Sequence, residues 1–419
     1  MHVLVVGAGP AGATAARTLA KAGIPVRLLD RAAFPRNKPC GGGISMRVLP
    51  RFPYLKQALS RIPTHELSRL YLEGPDGVSA LIESDEPSAL MIRRVEYDAL
   101  LVSLAVEAGA ELVTGVDVVQ AGDAEGRITL TARDGRQFES STVIAADGVH
   151  SVVARRLGLN TGWPATSVAL DMMEETPRTA LRDLDPSTLW VAYGFNPAGS
   201  SGGKEAPEGY AYIFPKRDHV NIGIGYVLSY FRSEVDDAPY ELQRQFVDRL
   251  RSRGVVVGES VRENFTPFLI TIGGPLRKPG RGRVLLAGDA GGFVNGFTAE
   301  GIYYAMVSGE LAAKTIAAAW PSTTAELASP YRRAVMKEMG AELRDSVLIQ
   351  RYLFGDRRRI AAAVTGAPRH RTITDLILDL AIGRRSYHDV RRRIFAHAPL
   401  LAARLAWEHV RRRWDSGIG

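Results

Sequence analysis

The chain opens on Gly7-Ala8-Gly9-Pro10-Ala11-Gly12, set between an apolar stretch, His2 to Val6, and an alanine-rich stretch, Ala11 to Ala22. Few sequence features constrain a fold more. The first glycine permits a sharp turn out of a strand, the second lets a pyrophosphate approach the backbone, and the third lets the helix pack closely on the strand. Pro10 suits a first helical turn, where its missing N–H costs nothing. Gly23 ends the helix, and a second strand, Pro25-Val26-Arg27-Leu28-Leu29, delivers Asp30 where it can accept hydrogen bonds from a ribose. A strand–turn–helix–strand unit complete by residue 30 predicts a Rossmann-like nucleotide-binding domain with a parallel sheet.

Two later segments repeat the device. Arg283 to Ala287 reads as a strand ending in Gly288-Asp289-Ala290, followed by a helix from about Gly301 to Trp320. An acidic residue there suits the ribityl chain and pyrophosphate of FAD, and a helix amino end near Gly301 and Ile302 offers backbone N–H groups to the electron-rich edge of a flavin. Asp147-Gly148, with Ser151 behind it, is a third strand-to-helix turn. Between these segments, Lys38-Pro39-Cys40-Gly41-Gly42-Gly43 places the single cysteine of the chain against three glycines. Glycines remove side-chain bulk and widen the backbone's choices, so the thiol can lie close to a ligand.

One cysteine excludes an internal disulfide and any multi-cysteine metal or iron–sulfur centre, and the eight histidines show no ligand spacing, so no metal is expected. No apolar run is long enough to span a bilayer, and the chain begins almost directly on a strand, leaving no room for a signal peptide. The expected location is cytoplasmic, either soluble or peripheral on a membrane face. The net charge of +8 is uneven. Residues 331–419 carry 19 Lys+Arg against 9 Asp+Glu, whereas residues 1–330 carry 34 and 36. Arg357-Arg358-Arg359, Arg391-Arg392-Arg393 and Arg411-Arg412-Arg413 punctuate apolar segments of that tail. Such a pattern suits helices lying on an anionic bilayer, and equally a solvated helical subdomain or an oligomer contact. Without a recognition motif, nucleic-acid binding is not expected.

The motifs together resemble the FAD-dependent monooxygenase-like superfamily with the para-hydroxybenzoate hydroxylase fold, and within it the geranylgeranyl reductase family. The residues that carry the resemblance are Gly7–Gly12 with Asp30-Arg31, the Pro39-Cys40-Gly41-Gly42 loop, Arg94 four residues before Asp98, Asp147-Gly148 with Ser151, and Gly288-Asp289 through Asn295. It covers roughly residues 1–320. It implies an α/β chain with a discontinuous FAD-binding domain (1–65, 92–164 and 275–330), an inserted β-rich substrate domain (66–91 and 165–274) and a basic helical C-terminal region (331–419). It also implies FAD contacts from Gly7, Gly9, Ala11, Gly12, Asp30, Arg31, Cys40, Gly41, Gly42, Arg94, Asp147, Gly288, Asp289, Gly301 and Ile302.

The family pattern Pro-x-x-Tyr-x-Trp-x-Phe-Pro is matched by Pro207 to Pro215, except that Tyr212 stands in place of tryptophan. Strand alternation puts Tyr210, Tyr212 and Phe214 on one face. The expected partner strand, His219 to Gly225, leaves Asn221, Gly223 and Gly225 as a nearly bare face. Tyr210, Tyr212, Phe214 and Gly223 are therefore the candidate substrate contacts. The resemblance implies reduction of C=C bonds in an isoprenoid chain on a lipid, quinone or pigment. Cys40 is a candidate proton donor, as are Tyr210, Tyr212 or a bound water, and aromatic faces suit a developing carbocation.

Two departures stand out. Asn295-Gly296-Phe297-Thr298-Ala299-Glu300-Gly301 replaces a family Asn-Pro-x-Thr-Gly-Glu-Gly, which predicts a looser turn, and Ala154 stands where the family has arginine. Only one dinucleotide fold is legible, so the reductant is open between NAD(P)H and a redox partner such as ferredoxin. Rival readings are an aromatic hydroxylase or halogenase on the same fold, and a non-catalytic flavin-bound membrane scaffold.

Overall fold

The structure, a computed structural model, describes residues 2–195, 207–322, 324–354 and 356–366. Its centre is a six-stranded sheet in the spatial order Gly280–Arg281, Val284–Leu286, Val143–Ala145, Val3–Val6, Val26–Leu29 and Glu111–Val113. All neighbours run parallel except the short antiparallel edge strand Gly280–Arg281. Both faces of this sheet are covered, which is why its strands read as unbroken apolar runs rather than alternating ones. Val3 and Val5 pack toward the helices Pro10–Lys21, Arg94–Glu107 and Ile302–Ala319, whereas Leu4 and Val6 pack toward an antiparallel meander of Val118–Ala124, Arg127–Ala132 and Gln137–Ser140.

The second large sheet has seven strands, in the order Phe265–Thr271, Val168–Pro177, His219–Val227, Gly209–Pro215, Thr188–Tyr193, Arg69–Glu73 and Ser79–Glu83. The amphipathic helix Pro239–Ser252 buries Leu242, Phe246, Val247 and Leu250 against one face. The other face looks toward the nucleotide-binding half. The segment 66–91 divides between two sheets. Arg69–Glu73 and Ser79–Glu83 extend the large sheet, while Thr64–Leu67 and Ala89–Ile92 pair beside Gly43–Ser45 in a small sheet directly after Cys40.

Past residue 320 the chain is helical over Ala328–Val335, Met336–Gly340, Ala341–Phe354 and Arg357–Gly366. The beginning of this region belongs to the body of the molecule. Tyr331 is fully buried and its hydroxyl donates to the Leu286 carbonyl at 2.7 Å, and Ile360 and Val364 pack against Ala80 and Phe354. The loop 196–206 and the arginine clusters at 391–393 and 411–413, with the membrane contact expected of them, lie outside the described residues. Among the described residues no helix is long and apolar enough to cross a membrane, and no group of three or more His, Cys, Asp or Glu could hold a metal ion.

Candidate active site

The nucleotide turn is built by the removal of side chains. Gly7 adopts φ +92°, and a Cβ on it would sit 2.3 Å from the Ala146 carbonyl oxygen; a Cβ on Gly12 would sit 1.8 Å from that of Gly7. At Gly9 there is room, and the nearest atoms facing a Cβ are guanidinium tips of Arg36 and Arg94 at 3.8 and 3.9 Å. No side chain caps the amino end of the helix that starts at Pro10, so its first N–H groups are available to an anion. Fully buried Asp98 fixes both arginines: Arg94 Nε and Nη2 donate to its two oxygens at 2.7 and 2.8 Å, and Arg36 forms an ion pair with it, Nη1 lying 3.0 Å from Oδ2. Burial works against the charge on Arg94, but Asp98 and Cys40 outweigh it and hold the guanidinium more firmly protonated than usual. Two guanidinium groups, a bare glycine and an uncapped helix end make a donor set that fits a dinucleotide pyrophosphate.

Asp30 is buried and accepts from the Ala8 and Ala32 N–H groups at 2.7 and 2.9 Å, which locks the turn; Arg31 beside it is exposed. Ala11 acts in packing. A Cβ on Gly288 would meet the Ala11 Cβ at 3.1 Å, and one on Gly309 would meet the Ala11 carbonyl oxygen at 2.1 Å. Gly288 adopts φ +61° and its N–H donates to Ser308 Oγ at 2.9 Å. Burial raises the pKa of the adjacent Asp289 carboxyl, opposed by Lys38 and Arg94. The Asp147 carboxylate is turned onto its own helix, accepting from Ser151 Oγ at 2.5 Å and from the Val152 and Val153 N–H groups at 2.8 and 3.2 Å. That motif organises a helix start, and Ala154 is buried within it.

Where the two halves face each other lies a cavity of about 350 Å³. Its walls are the Cys40–Ser45 loop, the Asn295–Ile302 turn, the inner face of the large sheet, and Glu342, Gln350 and Phe354 from the helix Ala341–Phe354. The expected partner strand is observed. Tyr210 pairs with Gly225, Tyr212 with Gly223 and Phe214 with Asn221. A Cβ on Gly223 would lie 2.5 Å from the Tyr212 hydroxyl, so the bare strand is what lets that ring lie across it. The Phe214 ring comes within 2.8 Å of a Cβ built on Gly41, and its centroid is 4.4 Å from that of Tyr212. Tyr210 donates to the Thr298 carbonyl at 2.7 Å, and Tyr193 stacks on Phe297 at 5.7 Å and 8°. Cys40 is a free, half-buried thiol; its sulfur accepts from the Gly42 N–H at 3.4 Å, and its carbonyl accepts from Asn221 Nδ2 at 3.2 Å.

One cavity residue that the sequence motifs do not single out is Asp171. Asp171 is buried, and its two oxygens lie 3.1 and 3.2 Å from the Tyr212 hydroxyl. Burial pushes its carboxyl up to about 7, against the opposing Tyr212 hydrogen bond and Lys38. Lys38 lies over the Phe268 ring, and burial followed by the Arg94 charge brings its ammonium down to about 7. A signal for Asp171 was present: it is the lone carboxylate in the apolar run Val168-Ala169-Leu170-Asp171-Met172-Met173.

The turn expected to be loose is pinned instead. Asn295 Oδ1 accepts from the Phe297 and Thr298 N–H groups, both at 3.0 Å, and Gly296 donates to Ser346 Oγ at 2.8 Å, a bond proline cannot make. A Cβ on Gly296 would lie 2.7 Å from the Ile272 carbonyl oxygen. Ala299 occupies the left-handed region at φ +56°. Glu300 accepts from the Ser45 N–H at 2.9 Å, and Arg47 joins Glu342 at 2.8 Å and the Tyr304 hydroxyl at 2.5 Å.

Comparison with known proteins agrees with this geometry. Residues 1–334 match the FAD binding domain family. The chain is 32% identical over 340 residues to the menaquinone reductase of Mycobacterium tuberculosis, covering 77% of this chain and 79% of the relative. It is 31% identical over 370 residues to the geranylgeranyl diphosphate reductase of Rhodobacter capsulatus, covering 85% of each. The chain belongs to the geranylgeranyl reductase family of FAD-dependent oxidoreductases. This enzyme's cofactor is FAD. Among solved structures, a geranylgeranyl bacteriochlorophyll reductase-like protein from Thermoplasma acidophilum superposes with a TM-score of 0.76 at 21% identity, covering 94% of this chain and 98% of the other. A flavin-dependent brominase superposes with a TM-score of 0.72 at 16% identity, covering 95% and 98%. At those identities the likeness speaks for the fold alone.

Proposed function

We propose that the enzyme saturates C=C bonds of an isoprenoid chain carried on a lipid, quinone or pigment. Bound and reduced, FAD supplies a hydride to one alkene carbon. The Gly7–Gly12 turn, Asp30, Arg94 and the Gly288-Asp289 turn hold the dinucleotide, with Gly301 and Ile302 at a second uncapped helix end beside the cavity. Arg31 and Asp147 contribute through their backbone, since one side chain is exposed and the other caps a helix.

The observation that carries this reading is the cavity itself: a largely apolar chamber in which Tyr210, Tyr212 and Phe214 face the Cys40 loop across bare glycines. Protonating a trisubstituted alkene leaves positive charge on its more substituted carbon. Aromatic faces stabilise such charge by roughly 0.5–2 kcal/mol each without acting as nucleophiles. An apolar wall also keeps water from capturing the cation. Cys40, Tyr210 and Tyr212 are among the weak acids that line the chamber, and burial keeps both tyrosines protonated well above the usual range. Relatives named for menaquinone and for geranylgeranyl diphosphate support a prenylated substrate.

The test is anaerobic. The purified holoenzyme is reduced with dithionite and mixed with geranylgeranyl diphosphate or with menaquinone, while flavin absorbance and product mass are followed. Reoxidation with two hydrogens gained per bond is the expected result. A flavin that stays reduced with every prenyl substrate, and then reacts with oxygen to hydroxylate an aromatic compound, overturns it.

A further inference from the structure

We propose that Asp171 and Tyr212 form a proton relay for the alkene reduction, Asp171 acting as a positioning residue through the Tyr212 hydroxyl. This rests on the reading above and names the source of its proton. Both residues are nearly fully buried and both line the cavity. Tyr212 is the sole hydrogen-bond partner of the Asp171 carboxyl among the described residues, at 3.1 and 3.2 Å. The positions registered opposite them are Gly223 and Gly225. A Cβ at Gly223 would displace the phenol, and one at Gly225 would lie 3.9 Å from Asp171 Oδ1, so the strand is bare where the pair lies. The family tryptophan at position 212 has an N–H that donates and cannot accept; a phenol does both, so a proton can pass through it.

The charged and titratable groups around the pair are few. Lys38 lies over Phe268, which registers opposite Asp171 on the neighbouring strand, while Tyr210 and Cys40 stand near Tyr212. Burial, the largest influence on Asp171, keeps the acid form populated near neutral pH. As an acid, Asp171 donates to the Tyr212 oxygen and frees the phenol proton to point into the cavity. In the step, the Tyr212 O–H bond breaks as a C–H bond forms on the less substituted alkene carbon. The Asp171 O–H bond breaks as the phenol is remade, and the more substituted carbon takes the hydride and its two electrons from the reduced flavin. The Asp171 carboxylate then takes up one proton from bulk solvent, so each turnover consumes one proton from solution and one hydride from the reduced flavin.

The test uses FAD-loaded protein and two readouts. Infrared spectra of the oxidised, substrate-free holoenzyme at pH 6 are expected to show a protonated carboxyl band that is lost in Asp171→Asn, moved in Tyr212→Phe and bleached as pH rises through about 7. Single-turnover reoxidation with a prenyl substrate is expected to slow about 10²-fold in Asp171→Asn and in Tyr212→Phe. Its rate should fall with pH above about 7 in the parent and in Asp171→Glu, and be flat in Asp171→Asn. A parent spectrum without the Asp171 band, or variants that turn over at the parent rate, overturns the relay while leaving the prenyl reductase reading intact. A parent that turns over no prenyl substrate overturns that reading, and the relay's role in alkene reduction with it.

Discussion

The two ends of the active site are made in opposite ways. The nucleotide end is defined by what is missing: Gly7 and Gly12 bring backbone into contact with backbone, Gly9 leaves open space, and a helix end is left uncapped. The cavity end is defined by what is present, with side chains of the Cys40 loop, the large sheet, the Asn295 turn and a late helix meeting around one space. The first kind of site is local and brittle, since an added methyl collides with main chain. The second is distributed, so single changes alter chemistry before they alter folding.

The largest expected effect is at the brittle end. Gly12→Ala forces a Cβ to 1.8 Å from the Gly7 carbonyl oxygen and should cost about 3 kcal/mol or more, read as protein purified without yellow colour. Arg94→Met removes a bidentate partner from buried Asp98 and should destabilise the fold by roughly 3 kcal/mol, with weakened FAD retention in titration. If either variant keeps full FAD occupancy, the contrast between the two ends is broken.

At the distributed end, Gly223→Ala pushes the Tyr212 ring away from Asp171 and should lower single-turnover rate on the order of 10-fold while FAD occupancy stays complete. Asp171→Asn sharpens the point through stability. The folded carboxyl, raised to about 7, binds its proton more tightly than the unfolded chain does, so stability declines as pH climbs from the ordinary carboxylate range toward 7 and stays low above it. The asparagine variant lacks that decline, so its advantage over the parent should grow by on the order of 1–3 kcal/mol between pH 4 and pH 8, measured by denaturant unfolding. The smallest effect is Ala299→Gly. It relieves a left-handed alanine at φ +56° and should stabilise by about 0.5 kcal/mol after the added flexibility of glycine is offset.

The same contrast explains what could be read in the sequence. The Gly7–Asp30 unit was legible because all its determinants fall within one local strand–helix–strand pattern. The tyrosine strand and its bare partner were legible because period-2 alternation marks one face of each strand, and the two strands do pair, with Tyr212 opposite Gly223. Asp171 was not found, although it is the lone carboxylate in the apolar run 168–173, because its partner is 41 residues away and nothing periodic links them. The Asn295 turn was misjudged for a related reason. Replacing proline with glycine loosens an isolated turn, yet Ser346, far along the chain, accepts the N–H that the change creates. The helix Ala341–Phe354 looked like the start of a basic tail because composition describes its surface and not the face that carries Glu342, Ser346 and Gln350 inward.

That helix lies beyond residue 334, where the match to the FAD-binding family stops. The chamber therefore takes one wall from beyond the family-matched segment, held through Gly296–Ser346 and Arg47–Glu342. Substitutions on that helix would reshape the chamber's wall while leaving the backbone contacts of the nucleotide turn, at the other end of the chain, in place.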